Sequence, residues 1–420
     1  MSFKTVSVIG LGYIGLPTAA MFASRKVNVI GVDVNQHAVN TINQGKIHII
    51  EPELDAIVFK AVQDGYLTAS LEAKPADAFL VAVPTPFKEE HQPDLTYIKS
   101  ACESIGPVLQ KGNLVILEST SPVGATELMA EWLAELRPDL SFPQQAGESC
   151  DINIAHCPER VLPGHVVREL VANDRVIGGL TDKCSQRSVE LYKIFVEGDC
   201  IVTNARTAEM AKLTENSSRD VSIAFANELS LICDELDINV WELISLANRH
   251  PRVNILQPGP GVGGHCIAVD PWFIVSKTPD VARLIRTARE VNDSKPLWVI
   301  EKVKKLMGEF LINNPSKSAA DLTVACFGLA FKPNIDDLRE SPALFITETL
   351  ANTLPSKVIA VEPNVESFTS KKAPALTLST MEDALNADIL VMLVDHDEFK
   401  TIHTDKLNHN LVIDTKGIWG

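Results

Sequence analysis

The stretch Val6-Ser-Val-Ile-Gly10-Leu-Gly12-Tyr13-Ile14-Gly15 restricts this chain more than any other ten residues in it. An apolar run the length of one strand ends on three glycines at G-x-G-x-x-G spacing and gives way to a helical pattern. The three glycines do different things. Gly10 makes a tight turn, Gly12 lets a ligand approach the backbone, and Gly15 allows close helix–strand packing. The helix start leaves unpaired N–H groups and a positive dipole end over the loop, a ready seat for a pyrophosphate. The next apolar run, Val27–Asp33, closes on a carboxylate placed to take both hydroxyls of a ribose. That carboxylate repels a 2′-phosphate and no arginine follows it, so the pattern predicts NAD rather than NADP.

Four more runs, Ala78–Pro84, Leu114–Thr120, Ile152–Pro158 and Arg175–Gly179, are apolar on both faces. This predicts parallel strands covered by helices, in a doubly wound α/β domain. Thr85, Ser119, Thr120 and Thr126 follow later strands and are candidate cofactor contacts, with a cap or turn role as the alternative for each. From Thr207 to Leu236 the pattern is helical without Gly or Pro, long enough for a spine or a dimer interface. Pro251–Pro271 is dense in Gly and Pro and reads as a structured loop, and a second helical stretch covers Asp280–Glu309. After a polar linker at Asn313–Asp321, strands are predicted at Leu322–Phe327, Lys357–Val361, Ile389–Val394 and Leu411–Asp414.

There is an internal echo. Val6-Ser-Val-Ile-Gly-Leu-Gly resembles Val324-Ala-Cys-Phe-Gly-Leu-Ala, and Ala76-Asp-Ala-Phe-Leu-Val resembles Ala387-Asp-Ile-Leu-Val-Met. The fold class expected is therefore α/β, with two Rossmann-like doubly wound domains, residues 1–204 and 318–420, joined by a central helical region, residues 205–312, that contains the long helix.

A length of 420 residues fits this multi-domain plan. A net charge of −16 argues against nucleic acid or an anionic membrane as the main partner, since both need a basic face. No run approaches the roughly 18 apolar residues of a membrane span, and the first residues lead directly into the glycine loop, so the protein is expected to be cytoplasmic. The eight cysteines are scattered with no C-x-x-C pair, and the histidines show no H-E-x-x-H spacing, so no metal site is expected.

Three stretches carry the candidate chemistry. Gly259-Pro-Gly-Val-Gly-Gly-His-Cys266-Ile-Ala-Val-Asp270 places a thiol after a glycine-rich loop, where close backbone donors favour a thiolate and stabilise an oxyanion. Lys212-Leu-Thr-Glu-Asn216 puts an ammonium and an amide one turn apart on one helical face, which is equally the pattern of a solvated face. Cys157-Pro-Glu159-Arg160 follows a strand, and Glu159 there is either a base or a helix cap.

Together these stretches resemble the UDP-glucose/GDP-mannose dehydrogenase family. The matching pieces are Gly10–Gly15, Glu118-Ser-Thr120-Ser-Pro-Val-Gly124, Pro158-Glu159, Lys212 with Asn216, Gly263-Gly264-His265-Cys266 with Asp270, and Phe331-Lys332 with Asp337-Leu-Arg339-Glu-Ser341. They run in order along essentially the whole chain. The resemblance implies an NAD-binding N-terminal domain, a dimerising helical middle, a UDP-sugar-binding C-terminal domain, and two hydride transfers to two NAD molecules. It makes Cys266 the nucleophile that forms a thiohemiacetal and then a thioester at C6. Lys212 and Asn216 stabilise oxygen charge, Asp270 orients water or Lys212, and Glu159 assists hydrolysis. Lys332 and Arg339 hold substrate phosphate or cofactor, for which an arginine fork is well shaped.

Departures from the UDP-glucose pattern bear on the sugar. Arg160 and Pro163 stand where those members carry Phe and a second acid, and Val269 stands where they carry Lys. Pro158-Glu-Arg-Val-Leu-Pro-Gly164, His250-Pro-Arg252 and Val262-Gly-Gly-His265-Cys instead resemble the branch acting on UDP-N-acetylhexosamines. Arg160, Val161, Leu162, Arg219, His250 and Arg252 become candidate substrate contacts, alongside Gly263, Phe331, Lys332, Lys212 and Asn216. Two rivals remain. A two-electron dehydrogenase of the 6-phosphogluconate or 3-hydroxyacid type shares the N-terminal pattern but needs no thiol. A non-catalytic nucleotide-binding module needs none of Cys266, Lys212, Asn216 and Glu159.

Overall fold

The computed structural model describes residues 3–88, 91–162, 164–264, 266–407 and 410–419; Pro163 and His265 of the motifs above lie outside them. The chain divides into two compact units: residues 1–215 with 276–278, and residues 216–275 with 279–420.

The first unit is built on eight strands, β1 (Thr5–Ile9), β2 (Asn28–Val32), β3 (Leu67–Ser70), β4 (Ala78–Val81), β5 (Leu114–Leu117), β6 (Asn153–His156), β7 (Arg175–Gly179) and β8 (Cys200–Asn204). They lie in the order β3-β2-β1-β4-β5-β6-β7-β8. The two strands not anticipated are β3 and β8, which sit at the sheet edges. Ile201 and Val202 of β8 are exposed, so an edge strand of this kind never shows a run apolar on both faces. One pairing corrects the expectation of parallel strands: β6 and β7 run antiparallel. Burial on both faces is satisfied by a strand of either direction, so the apolar run does not encode which way β7 points.

Alternate strand residues feed two cores. Val6, Val8, Leu80 and Ile116 enter one, while Ile9, Phe79, Val81, Val115 and Leu117 enter the other, on the opposite face of the sheet. The helices used below are α1 (Gly15–Ser24), α2 (Asp182–Tyr192), α3 (Ala205–Glu235), α4 (Asp270–Lys277), α5 (Arg283–Asn313) and α6 (Pro342–Thr353). The unit boundary falls inside α3, between Glu215 and Asn216.

In the second unit, β9 (Thr323–Phe327), β10 (Lys357–Val361), β11 (Thr377–Leu378), β12 (Ile389–Met392) and β13 (Leu411–Asp414) form a parallel sheet in the order β11-β10-β9-β12-β13. This repeats the order of β3-β2-β1-β4-β5, and the two halves of the sequence echo fall on β1/β9 and β4/β12. Within the same unit, α3 and α5 are joined by a buried polar ladder. Arg289 pairs with Asp220 at 2.6 Å, Asn292 Nδ2 donates to Asp220 at 2.8 Å, and Asn227 Nδ2 donates to Asn292 at 2.8 Å. Asn227 Oδ1 also accepts from Gly259 N at 2.9 Å, which anchors the start of the glycine-rich cysteine loop to α3.

Candidate active site

In the first unit the three glycines of the loop after β1 carry distinct constraints. A Cβ at Gly10 (φ +91°) meets the Ala82 carbonyl oxygen at 2.6 Å, and one at Gly15 meets the Gly10 carbonyl oxygen at 1.8 Å. A Cβ at Gly12 meets nothing within 4 Å. The chain's own packing therefore demands glycine at the first and third positions only. The open space over Gly12 is the room a pyrophosphate needs, so the loop fits a dinucleotide. Tyr13 is exposed and Ile14 half-buried at the rim of the loop.

Asp33 Oδ2 accepts from Leu11 N at 2.8 Å and Oδ1 from Asn35 N at 2.8 Å, so this carboxylate also clasps the glycine loop. The Thr85 hydroxyl donates to Thr120 O and the Ser119 hydroxyl to Val83 O (2.6 Å), tying together the loops after β4 and β5. Thr126 is engaged elsewhere. It is fully buried, and both its N–H (2.8 Å) and its hydroxyl (2.6 Å) go to the buried Glu209, which also accepts from Gly124 N at 2.7 Å.

Glu159 follows β6 and is buried. One oxygen accepts from Arg160 N at 2.7 Å, and the other lies 2.8 Å from the Arg175 guanidinium in an ion pair. Arg175 opens β7 and lies 4.9 Å over the ring of Tyr192 in α2. The Tyr192 hydroxyl donates to Glu118 at 2.6 Å. Burial pushes the Glu118 carboxyl up to about 7 against the opposing pull of Arg175. Arg160 reaches α3, pairing with Glu215 at 2.6 Å, so the Pro158–Arg160 segment docks on the turn that also carries Lys212. The next residues are pinned as well: Leu162 N donates to Glu169 (2.7 Å), and Gly164 N (3.0 Å) and Val166 N (2.8 Å) donate to the buried Glu51. Val161 is half-buried and Leu162 exposed.

Lys212, half-buried, precedes Asn216 by one turn of α3. In the second unit Asn216 Nδ2 donates to the buried Asp270 Oδ2. Asp270 opens α4, and its own N–H donates to Cys266 O at 2.9 Å, so one acid ties the cysteine turn to the amide on α3. Cys266 is exposed, Cys200 half-buried, and the other six cysteines buried. Burial pushes the thiols of Cys102, Cys157 and Cys326 up to about 12, which makes them poor nucleophiles.

The glycines before Cys266 exist because another loop lies against them. A Cβ at Gly263 meets Glu340 O at 2.4 Å, and one at Gly264 (φ +82°) meets the Phe331 ring at 3.0 Å. The loop bearing Phe331, Lys332 and Arg339 is thus packed against the cysteine loop within the second unit. Phe331 N donates to Asp337 O at 3.1 Å, and Arg339 forks onto Asp337 at 2.6 Å. Lys332, Arg219, His250 and Arg252 are exposed.

Reading the sequence alone missed Arg175 and Tyr192 beside Glu159, and Glu209 as the partner of Thr126. The available signal for Arg175 was a charged residue opening a strand otherwise apolar on both faces. Glu209 gave no signal, because a lone acid on a long helix looks solvated.

Comparison with known proteins bears on the same residues. Residues 4–196 match the NAD binding domain, residues 206–294 the central domain and residues 325–420 the UDP binding domain of the UDP-glucose/GDP-mannose dehydrogenase family. The chain is 66% identical over 420 residues to UDP-N-acetyl-D-mannosamine dehydrogenase of Escherichia coli (strain K12), covering 100% of both. It is 61% identical over 419 residues to NDP-N-acetyl-D-galactosaminuronic acid dehydrogenase of Ralstonia nicotianae, covering 100% of this chain and 97% of that one. The structure of UDP-D-ManNAc dehydrogenase from Pyrococcus horikoshii is similar with a TM-score of 0.87 at 39% identity, covering 99% of this chain and 96% of that one.

Proposed function

The chain belongs to the UDP-glucose/GDP-mannose dehydrogenase family, and from that footing we propose that it oxidises C6 of UDP-N-acetyl-D-mannosamine to the carboxylate with two molecules of NAD. The observation that carries this reading is the exposed Cys266 on a glycine-rich turn that Asp270 ties to Asn216. An alcohol can lose hydride without a covalent bond to the protein. An aldehyde must first gain a nucleophile, because hydride leaves from a tetrahedral carbon.

NAD, when bound, accepts the hydride of each oxidation. Lys212 takes the proton of the C6 alcohol, and Asn216 donates to the same oxygen. Cys266 Sγ then adds to the aldehyde carbon, and the resulting thiohemiacetal loses hydride and its hydroxyl proton to become a thioester. Water, deprotonated by Glu159, attacks the thioester carbonyl; the C–S bond breaks, Cys266 leaves as thiolate and the acid departs. Asp270 keeps the Asn216 amide aimed. Gly10, Gly12, Gly15 and Asp33 hold the cofactor, with Thr85, Ser119 and Thr120 beside it. Lys332 and Arg339 hold phosphate, and Arg160, Arg219, His250 and Arg252 read the sugar.

The protein is proposed to be a cytoplasmic homodimer acting in enterobacterial common antigen synthesis. Among the described residues no helix is long and apolar enough to cross a membrane. Phe225 and Ile232 on one face of α3, with Leu236 just beyond its end, are exposed apolar residues, which supports pairing with a second copy. NADH production across UDP-N-acetyl-D-mannosamine, UDP-N-acetyl-D-glucosamine, UDP-N-acetyl-D-galactosamine and UDP-glucose tests the substrate. The first is expected to dominate; robust turnover of UDP-glucose alone would sink the assignment.

A further inference from the structure

The loop after β9 follows the loop after β1 step for step. Gly328 (φ +94°) and Gly10 (φ +91°) each donate N–H to the last residue of the neighbouring strand, Val361 O and Val32 O, both at 2.8 Å. The leucine that follows donates to an acid: Leu329 N to Glu362 Oε2 at 2.7 Å, Leu11 N to Asp33 Oδ2 at 2.8 Å. Then the loops part. Gly12 stands open, whereas Ala330 N is also held by Glu362, at 3.0 Å.

Glu362 is buried, and the same oxygen lies 3.1 Å from Nε2 of the fully buried His396. The other ring nitrogen, Nδ1, lies 2.9 Å from the backbone N–H of Asn334 and 3.0 Å from Asn364 Nδ2. A backbone N–H can only donate, so Nδ1 carries its lone pair and the ring proton sits on Nε2, where the carboxylate accepts it. Asn334 is in the left-handed region (φ +61°) and is clasped by Asp397. Its Nδ2 donates to Asp397 Oδ2 at 2.8 Å, and Asp397 N donates to its Oδ1 at 3.0 Å. Between the Glu362 clasp at residues 329–330 and the His396 clasp at residue 334 run Phe331, Lys332 and Pro333.

We propose that His396 is a positioning residue for the nucleotide-sugar: neutral and protonated on Nε2, it fixes the far end of the loop that presents Phe331 and Lys332. The proposal rests on the reading of those two residues as substrate contacts. The charged groups around the ring are Glu362 from the end of β10, Asp397 and Lys400 on the following turn of helix, and Asp395, which pairs with Lys416 at 3.0 Å.

Two variants separate latch from scaffold. His396→Asn puts an amide oxygen near the place of Nδ1 and keeps an acceptor for Asn334. His396→Phe keeps the ring bulk against Phe399, whose centroid is 5.4 Å away, but offers no acceptor. In His396→Phe, affinity for UDP by calorimetry and KM for the UDP-sugar should both worsen by about tenfold, as expected when a buried N–H loses its partner. In that variant kcat should stay near the wild-type value, and His396→Asn should bind and turn over nearly as wild type. Both variants lose the Glu362 contact, so a purely structural role would damage His396→Asn at least as much and would overturn the proposal. Nitrogen-15 NMR of the wild-type protein should find His396 in the neutral Nε2–H form; the Nδ1–H tautomer at neutral pH would also overturn it. A wild-type protein that bound no UDP would overturn the substrate reading instead, and the tautomer would then decide the latch alone.

Discussion

The carboxylate of Glu159 stands 2.8 Å from the guanidinium of Arg175, with both side chains almost wholly withdrawn from water. The ion pair holds one oxygen of the acid in place, and Arg160 N holds the other. Removing the charge of either partner strands a buried ion at a cost of roughly 3–5 kcal/mol; Glu159→Gln is the variant of choice because it keeps the shape of the side chain and an oxygen facing Arg175. Thioester hydrolysis in Glu159→Gln should fall by about a hundredfold while hydride transfer persists. The acyl adduct on Cys266 should then accumulate and be visible by intact-protein mass spectrometry. Release of acid at the wild-type rate would remove Glu159 from the mechanism.

The glycine loop separates a structural glycine from a functional one. Gly12→Ala, with open space around the new methyl, should leave the melting temperature unchanged and raise KM for NAD by about tenfold, the loss that ~1.4 kcal/mol produces. Gly15→Ala drives a methyl into the Gly10 carbonyl and should destabilise the fold by roughly 1–3 kcal/mol. Asp33→Ala should narrow the preference for NAD over NADP mainly by weakening NAD, and it also releases Leu11 N. Thermal unfolding and cofactor titration on the same samples check all three.

Much of this site was legible because it is local. The glycine loop with Asp33, the cysteine turn and the Lys212/Asn216 pair each lie within a short stretch whose spacing implies its geometry. Arg175, Tyr192 and Glu118 were not legible as a unit, since they join β7, α2 and the end of β5, and only the folded sheet brings them together. The same holds for His396 with Asn334. Thr126 is a further case: its position after a strand left cofactor contact and a cap or turn role both open, and in the fold a buried acid 83 residues further on takes its hydroxyl. The sheet order of the second unit was foreshadowed by the sequence echo, whereas the reversal at β7 was not, because strand direction leaves no mark on an apolar run.

Glu118 supplies a pH test. Its folded pKa of about 7 lies above the ordinary value of 4.5, so folding favours the protonated form. The associated stability is fully present below pH 4.5 and is lost as pH rises through about 7, at no more than about 1.4 kcal/mol per pH unit. Glu118→Gln keeps an acceptor for Tyr192 and cannot ionise, so its melting temperature should decline less than that of wild type across this window. Parallel curves for the two proteins would show that Glu118 does not titrate there.

Cys266 and Lys212 should fail differently. Cys266→Ser keeps cofactor and substrate binding but should block the second oxidation, because an alcohol of much higher pKa replaces the thiol. Lys212→Ala should slow both oxidations by on the order of a hundredfold, since each develops charge on the C6 oxygen. Rapid mixing with NAD and substrate, following NADH and trapping aldehyde, distinguishes the two patterns.

One active site is proposed to carry a primary alcohol through two successive oxidations. The most direct test exhausts a limiting, known amount of UDP-N-acetyl-D-mannosamine with excess NAD and counts the NADH formed. Two NADH per sugar are expected, with the uronate as the only product. A yield of one, with aldehyde or ketone as the end product, would contradict the two-step oxidation.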